Sequence, residues 1–250
     1  MFGIFRKNEH SVKTGHTETG GGFTSVTVDM HSHVLPAIDD GAKTVEDSIV
    51  LIETMMACGI KKVIATPHVM MDYYRNTPET IHEALEILKE ELDKRNMNIV
   101  VEAAAEHYFD ELFVELVNKR KLMTMADDHV LFEIPFIGKP HNFEPVLSHM
   151  LELNYKPILA HPERYMYLSL PDYKQIKEMQ CSLQVNTVSL TGYYGKEVKK
   201  KAEQMVENGL VDFISSDMHH ARHARAFREA MKNPTVRKLI QKGGLKNSLL

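Results

Sequence analysis

The sequence predicts an α/β fold: seven parallel strands covered by helices and closing into a barrel that resembles the eight-stranded one. Three observations carry that expectation. Strand-like and helix-like segments alternate from Thr24 to the C-terminal tail with no break in composition. The chain has 250 residues, 43% of them hydrophobic, enough for one large α/β domain or two small ones. Nearly every expected strand ends in a histidine or a carboxylate, and in a parallel barrel the C-terminal strand ends share one site.

Residues 1–23 are polar, end in Gly20-Gly21-Gly22 and read as a mobile arm, leaving 24–250 as the barrel. Thr24–Val28 alternates polar and apolar as a strand does and leads into Asp29-Met30-His31-Ser32-His33. A helix from about Thr44 to Ala57 follows, with Thr44 and Asp47 as a capping box. Val45, Ile49, Ile52 and Met56 form its buried stripe, and Gly59 ends it. Strand two, Lys62–Ala65, closes on Thr66-Pro67-His68. The next helix runs from about Pro78 to Arg95, capped by Thr77, with Ile81, Leu85, Leu88 and Leu92 facing inward. Strand three, Asn98–Glu102, leads to Glu106. A short helix near Asp110–Asn118 precedes strand four, His129–Ile134, and helix 144–153 follows. Strand five, Lys156–Ala160, closes on His161-Pro162-Glu163-Arg164. Strand six is Ser182–Val185, ending at Asn186; helix 196–208 then precedes strand seven, Leu210–Ser215, which closes on Ser216-Asp217-Met218-His219. The tail is helical and amphipathic.

Composition excludes several classes. Net charge is -4 with no long block of either sign, which disfavours a nucleic-acid or membrane surface. No apolar run approaches the ~18–20 residues of a membrane span, and the opening Met1–Lys7 is too short in apolar residues for a signal peptide. Two cysteines, Cys58 and Cys181, give no disulfide framework and fit a reducing cytoplasm. A cysteine-based tyrosine phosphatase needs an arginine six residues after its thiolate; here Ile64 and Thr187 stand at that distance.

His31 and His33, at i and i+2, point to one side of an extended backbone and can grip one ion together. Taken alone, such a pair is more often two polar residues on a solvated strand face than a metal site. The later strand ends change the balance: Asp39-Asp40-Gly41, His68, Glu106, His161, Asp217 and His219 all fall there, whereas His82 and His149 read as helix-surface residues. Imidazole and carboxylate without thiolate suit Zn, Mn or Fe. The donors are too many for one ion, so two or three are expected, with Glu106 as the natural bridge. Clustered cations suit phosphoester hydrolysis. Arg164 offers a fork for phosphate oxygens, or alternatively a surface ion pair. The apolar Val69–Tyr74 stretch either lines the site or packs on its own barrel.

These motifs resemble the polymerase-and-histidinol-phosphatase (PHP) superfamily: His-x-His after strand one, Thr-Pro-His, a Glu after strand three, His-Pro-Glu-Arg, and Ser-Asp-x-His. Within it, Asp29–Gly41, Ala65–His68, Phe132–Phe136 and Leu159–Tyr165 are similar to the bacterial metal-dependent protein-tyrosine phosphatases of capsule and exopolysaccharide operons. The resemblance spans about residues 26–245. It implies a distorted seven-stranded barrel with a trinuclear site. His31, His33, Glu106 and Asp217 would hold one ion, Glu106 and His161 a second, and Asp40, His68 and His219 a third. Asp39 is the rival to Asp40. Glu144 is the candidate for the remaining second-ion ligand, with a first-turn helix carboxylate as the alternative. His141, standing where the family carries an arginine, would touch phosphate or protonate the leaving phenol.

The function implied is hydrolysis of phosphotyrosine on a protein by a metal-bridging hydroxide, with Mn foremost and Zn or Fe as alternatives. The implied partner is the Tyr-rich tail of the tyrosine kinase that controls polysaccharide export. A histidinol-phosphate or other small phosphomonoester phosphatase is the nearest rival, to be told apart by the pocket: open with aromatic walls for a protein substrate, closed and basic for a small one. A non-catalytic metal-binding scaffold is the reading from another class.

Overall fold

The computed structural model describes residues 26–126 and 128–250; the expected arm, 1–23, lies outside them. In chain order the elements are β1 (Val28–Asp29), α1 (Val45–Ala57), β2 (Lys62–Ala65), β3 (His68–Met70), β4 (Tyr74–Arg75), α2 (Pro78–Lys94), β5 (Val100–Ala103), β6 (Glu106–Tyr108), α3 (Glu111–Lys119) and β7 (His129–Glu133). Then come α4 (Phe143–Glu152), β8 (Lys156–Ala160), α5 (Leu170–Glu178), β9 (Ser182–Asn186), α6 (Lys196–Glu207), β10 (Phe213–Ser215), α7 (Ala221–Ala230) and α8 (Pro234–Lys242). No helix among the described residues is long and apolar enough to cross a membrane.

The strands form two sheets, β1-β2-β5 and β10-β9-β8-β7-β6-β3-β4, parallel throughout except for the β3–β4 hairpin. Strand two is interrupted because Pro67 has no N–H to give the ladder. β2 therefore ends at Ala65 and β3 restarts at His68. Strand three breaks at Ala104-Ala105 in register with it. The breaks remain bonded, since Ala104 N–H donates to Ala65 O at 2.8 Å and Glu106 N–H to Pro67 O at 3.0 Å. At the far edge, Asp217 N–H donates to His31 O and His33 N–H to Met218 O, both at 2.9 Å, which ties the end of β10 to the continuation of β1.

Alternation sorts the strand residues. Ile64, Leu131, Ile158 and Phe213 pack with Val28, Met30 and Leu250 in a small inner cluster, while Val63, Phe132, Leu159 and Leu183 pack outward with the helices. The expected Thr44–Asp47 capping box forms. The α1 stripe is centred on Ile49, Leu51, Ile52 and Met55, and the expected Val45 and Met56 are only half-buried at its edge. α2 buries its four expected positions. Helix α5 was not anticipated, although Ser169 and Asp172 form a capping box with Pro171 in its first turn. Both cysteines are buried free thiols.

Candidate metal centre

The strand ends deliver their polar residues to one buried focus. His31 Nε2 lies 3.3 Å from His33 Nε2, 3.2 Å from Glu106 Oε2 and 3.3 Å from Asp217 Oδ1. His33 Nε2 lies 3.3 Å from Glu106 Oε2 and 3.5 Å from Asp217 Oδ1. Donors held about 2.1 Å from one ion in a tetrahedron stand about 3.4 Å apart. All five distances have that spacing.

Tautomers are fixed from behind. His31 Nδ1 donates to Gln184 Oε1 at 2.9 Å, and His33 Nδ1 to Asp39 Oδ2 at 2.7 Å. Each leaves its Nε2 lone pair facing the focus. Asp39 also accepts from the N–H groups of Gly41 and His68. Of the two rival carboxylates, Asp39 thus orients His33, while Asp40 faces His68 Nε2 at 3.4 Å and His219 Nε2 at 3.5 Å. His219 Nδ1 donates to the Asp217 carbonyl at 3.0 Å, again freeing Nε2.

Glu106 bridges the groups. Its Oε1 meets His161 Nε2 at 2.9 Å, and its Oε2 meets His68 Nδ1 at 3.2 Å. The residue that completes this side is Glu133, at the end of β7, 3.3 Å from His68 Nδ1 and 3.8 Å from His161 Nε2. The expected Glu144 does not come here. It sits in the first turn of α4, where Lys139 Nζ binds its carboxylate at 2.6 Å. His141 is also absent: it is exposed on the loop before α4 and takes no part in the cleft. The loop Ile137–Pro140 carries both outward. The strand-end pattern could have found Glu133, because strand four was one of the few given no ligand.

The donor set fits divalent cations. Glu106 Oε2 and Asp217 Oδ1 are buried without a hydrogen-bond partner, as is His68 Nδ1, and such groups are costly unless something binds them. Burial alone would lift the Glu106 carboxyl; the rings of His31 and His68 and the hydrogen bond from His161 outweigh it and hold it well below the usual glutamate range. Burial opposes ionisation of Asp217 too, and His31 and His219 reverse that effect. His161 and Asp217 both adopt left-handed backbone, with φ of 34° and 48°. Non-glycine residues hold that region at a cost of about 1–3 kcal/mol.

The focus forms the floor of a cleft of about 430 Å³. Its wall holds the Arg164 guanidinium, 5.0 Å from the Phe136 ring centre and 4.7 Å from that of Tyr194. Asp217 Oδ2 accepts from Arg164 at 3.2 Å. Lys201 donates to the carbonyls of Tyr165, Met166 and Leu168 and so pins the loop that follows. Tyr74 stacks on His68 at 5.5 Å. Two further residues, His220 and His223, line the cleft. His220 Nδ1 accepts from His223 N–H, and His223 Nδ1 from His219 N–H, so each carries its proton on Nε2. Nothing in the strand-end pattern pointed to Phe136, Tyr194, His220 or His223.

Comparison with known proteins shows the family. The family model described as "Capsular polysaccharide synthesis, CpsB/CapC" matches residues 27–244. Tyrosine-protein phosphatase YwqE of Bacillus subtilis is 33% identical over 199 residues, covering 78% of each chain. Tyrosine-protein phosphatase CpsB of Streptococcus agalactiae is 29% identical over 201 residues, covering 77% of this chain and 83% of its own. A solved structure from work on YwqE of B. subtilis and CpsB of Streptococcus pneumoniae, described as unique metal-dependent tyrosine phosphatases, superposes with a TM-score of 0.76 at 28% identity, covering 89% of this chain and 93% of that one. Histidinol phosphate phosphatase of Lactococcus lactis shares the fold, with a TM-score of 0.54 at 15% identity over 88% of this chain and 94% of its own. The chain belongs to the CpsB/CapC family of capsular polysaccharide synthesis proteins.

Proposed function

We propose that the protein is a metal-dependent protein-tyrosine phosphatase. The observation that carries this reading is the tetrad of His31, His33, Glu106 and Asp217 at one-ion spacing, its two carboxylates lining an open cleft with aromatic walls. His31, His33, Glu106 and Asp217 hold one ion; Glu106, Glu133 and His161 a second; Asp40, His68 and His219 a third. Mn is the first choice, with Zn or Fe accepted by the same donors. Two sheets joined at both edges support a distorted seven-stranded barrel over residues 24–250.

When bound, the ions supply an activated water at neutral pH and offset charge on the phosphoryl oxygens. Arg164, over the rings of Phe136 and Tyr194, binds two phosphoryl oxygens through its fork. His220 and His223 present N–H donors to the same group. Phe136 and Tyr74 flank the entering tyrosyl ring. No Ser, Thr or Cys lines the cleft among the described residues, so no covalent phosphoenzyme forms through such a side chain. Trapping a phosphorylated side chain during turnover would overturn the direct-attack reading.

The substrate is a phosphotyrosine-bearing protein of polysaccharide export, in this reading the Tyr-rich tail of its tyrosine kinase, and the location is the cytoplasm. The cleft is walled by aromatics and carries one guanidinium, not the several cations a small dianionic substrate would call for. Phosphate release from a phosphotyrosine peptide and from histidinol phosphate, side by side on manganese-loaded protein with bound metal counted, tests this. Preference for the peptide is expected; preference for histidinol phosphate would overturn the substrate assignment, and no release from either would favour a metal-binding scaffold.

A further inference from the structure

Strand β9 supplies none of the donors assigned to the three ions, yet it lies between β8 and β10, which lead to His161 and Asp217. Successive side chains on a strand face opposite ways. Leu183 and Val185 turn outward into the core shared with the helices, and Gln184 and Asn186 turn inward. Both inward residues are amides and both are fully buried. A parallel strand covered on both faces ordinarily reads as a run of apolar residues. Two buried amides at i and i+2 break that pattern.

Their hydrogen bonds run in one fixed sense. The His161 N–H, which can only donate, meets Gln184 Oε1 at 3.3 Å. The same Oε1 accepts from His31 Nδ1 at 2.9 Å. The amide nitrogen is left to donate, and Nε2 lies 2.8 Å from Asn186 Oδ1 and 2.7 Å from Ser215 Oγ. Asn186 thus accepts through its oxygen, and its Nδ2 donates to Asp217 Oδ2 at 2.6 Å. The other carboxylate oxygen, Asp217 Oδ1, faces His31 and His33. Flipping either amide would set donor against donor, so each holds the other in place. A single polar chain therefore joins His31 to Asp217, two members of the tetrad drawn from opposite ends of the sequence. Being neutral, it adds no further buried charge to those of Asp39, Glu106 and Asp217.

We propose that Gln184 and Asn186 act as one positioning unit, which sets His31 and Asp217 together for the ion of the tetrad. This rests on the reading of the tetrad as an ion site. Neither amide touches the ion or the substrate; each acts through the ligand that it holds.

Gln184→Met and Asn186→Leu keep most of the side-chain volume and remove the hydrogen bonds, so a role in packing alone would spare both. Manganese is titrated calorimetrically into the metal-free variants and the unaltered protein, and bound metal is counted on the same samples. Each variant is expected to bind one ion about 10- to 100-fold more weakly, the usual effect of losing a group that orients a metal ligand. The double variant is expected to bind no more weakly than the worse single variant, because groups that act as a unit are not additive. In zinc-loaded protein, the slowly exchanging Nδ1 proton of His31 is expected to vanish from the magnetic resonance spectrum of Gln184→Met. It is also expected to shift in Asn186→Leu, which does not touch His31. Ser215→Ala removes one of the two acceptors that seat the Gln184 amide and is expected to weaken manganese a few fold; it carries the test if Gln184→Met does not fold. Unchanged manganese affinity in Asn186→Leu and Ser215→Ala overturns the proposal. Additive losses, or an unmoved His31 proton in Asn186→Leu, overturn the single unit. An unaltered protein that binds no manganese overturns the tetrad reading itself, and this proposal with it.

Discussion

At the scale of single residues, geometry decides which of two glutamates meets the cluster, and it is not the expected Glu144. Glu133 and Glu144 are both glutamates near the end of strand four, yet only Glu133 reaches His68 and His161. Glu133→Gln is expected to remove about one ion per chain and to cut phosphate release at least about 100-fold, since even residues that merely orient metal ligands cost 10–100-fold. Glu144→Gln should leave both unchanged. Metal analysis and turnover on the same samples check this, and equal losses in the two variants would refute the assignment. Arg164→Lys keeps the charge but loses the planar fork and the stacking on Phe136 and Tyr194. A drop in kcat/KM of roughly 10- to 100-fold is expected, the worth of charged hydrogen bonds lost at a substrate. His141→Ala, at an exposed position outside the cleft lining, should match the unaltered protein.

At the scale of elements, two loops carry the constraint. A Cβ on Gly41 would lie 2.1 Å from the His33 carbonyl oxygen and 2.5 Å from its Cβ. Backbone cannot swing aside as a side chain does. Gly41→Ala should therefore shift the turn that aims Asp39 and Asp40, lowering stability by about 1–3 kcal/mol and weakening metal binding; a crystal structure or metal titration would show it. The start of β9 depends on Asp212, a buried carboxylate that accepts from Leu183 N–H and pairs with Lys177 and Lys246. Burial works against its charge, but these partners prevail and hold its pKa below the ordinary value. The stabilisation is thus present above the ordinary aspartate range, near 3.9, and is lost as pH falls through the lower folded value. Asp212→Asn should cost about 1.5–3 kcal/mol at pH 7, shrinking toward pH 3. Urea midpoints at the two pH values check the sign.

At the scale of the whole molecule, the cluster joins chain segments that are otherwise far apart. Its donors follow β1, β8 and β10, close β7, and open β3 and β6, so that they are drawn from both sheets. Ions that bind only the folded chain stabilise it by mass action, about 2.7 kcal/mol at a free concentration 100 times the dissociation constant. Manganese should therefore raise the thermal midpoint in a concentration-dependent way, and chelation should reverse it. The rise should be smaller in Glu133→Gln than in Glu144→Gln. A midpoint indifferent to manganese would mean that the buried donors do not hold it.

The amino-acid sequence by itself determined the order of strands and helices, the caps on α1 and α2, and most of the metal-ligand candidates. These are local matters: hydrophobic periodicity, capping chemistry, and histidines or carboxylates at strand ends. It left three questions to the tertiary structure. Asp39 and Asp40 are adjacent, and only the fold turns one to His33 Nδ1 and the other to His68 and His219. The loop after β7 decides that Glu133 points in and Glu144 out, because one residue closes a strand and the other opens a helix. Of the walls of the cleft, Phe136, Tyr194 and His220 come from loops with no periodic signal, and His223 from the first turn of α7. Donor type is written in the chain. Donor direction is set by backbone geometry summed over distant segments, and that sum exists only in the folded molecule.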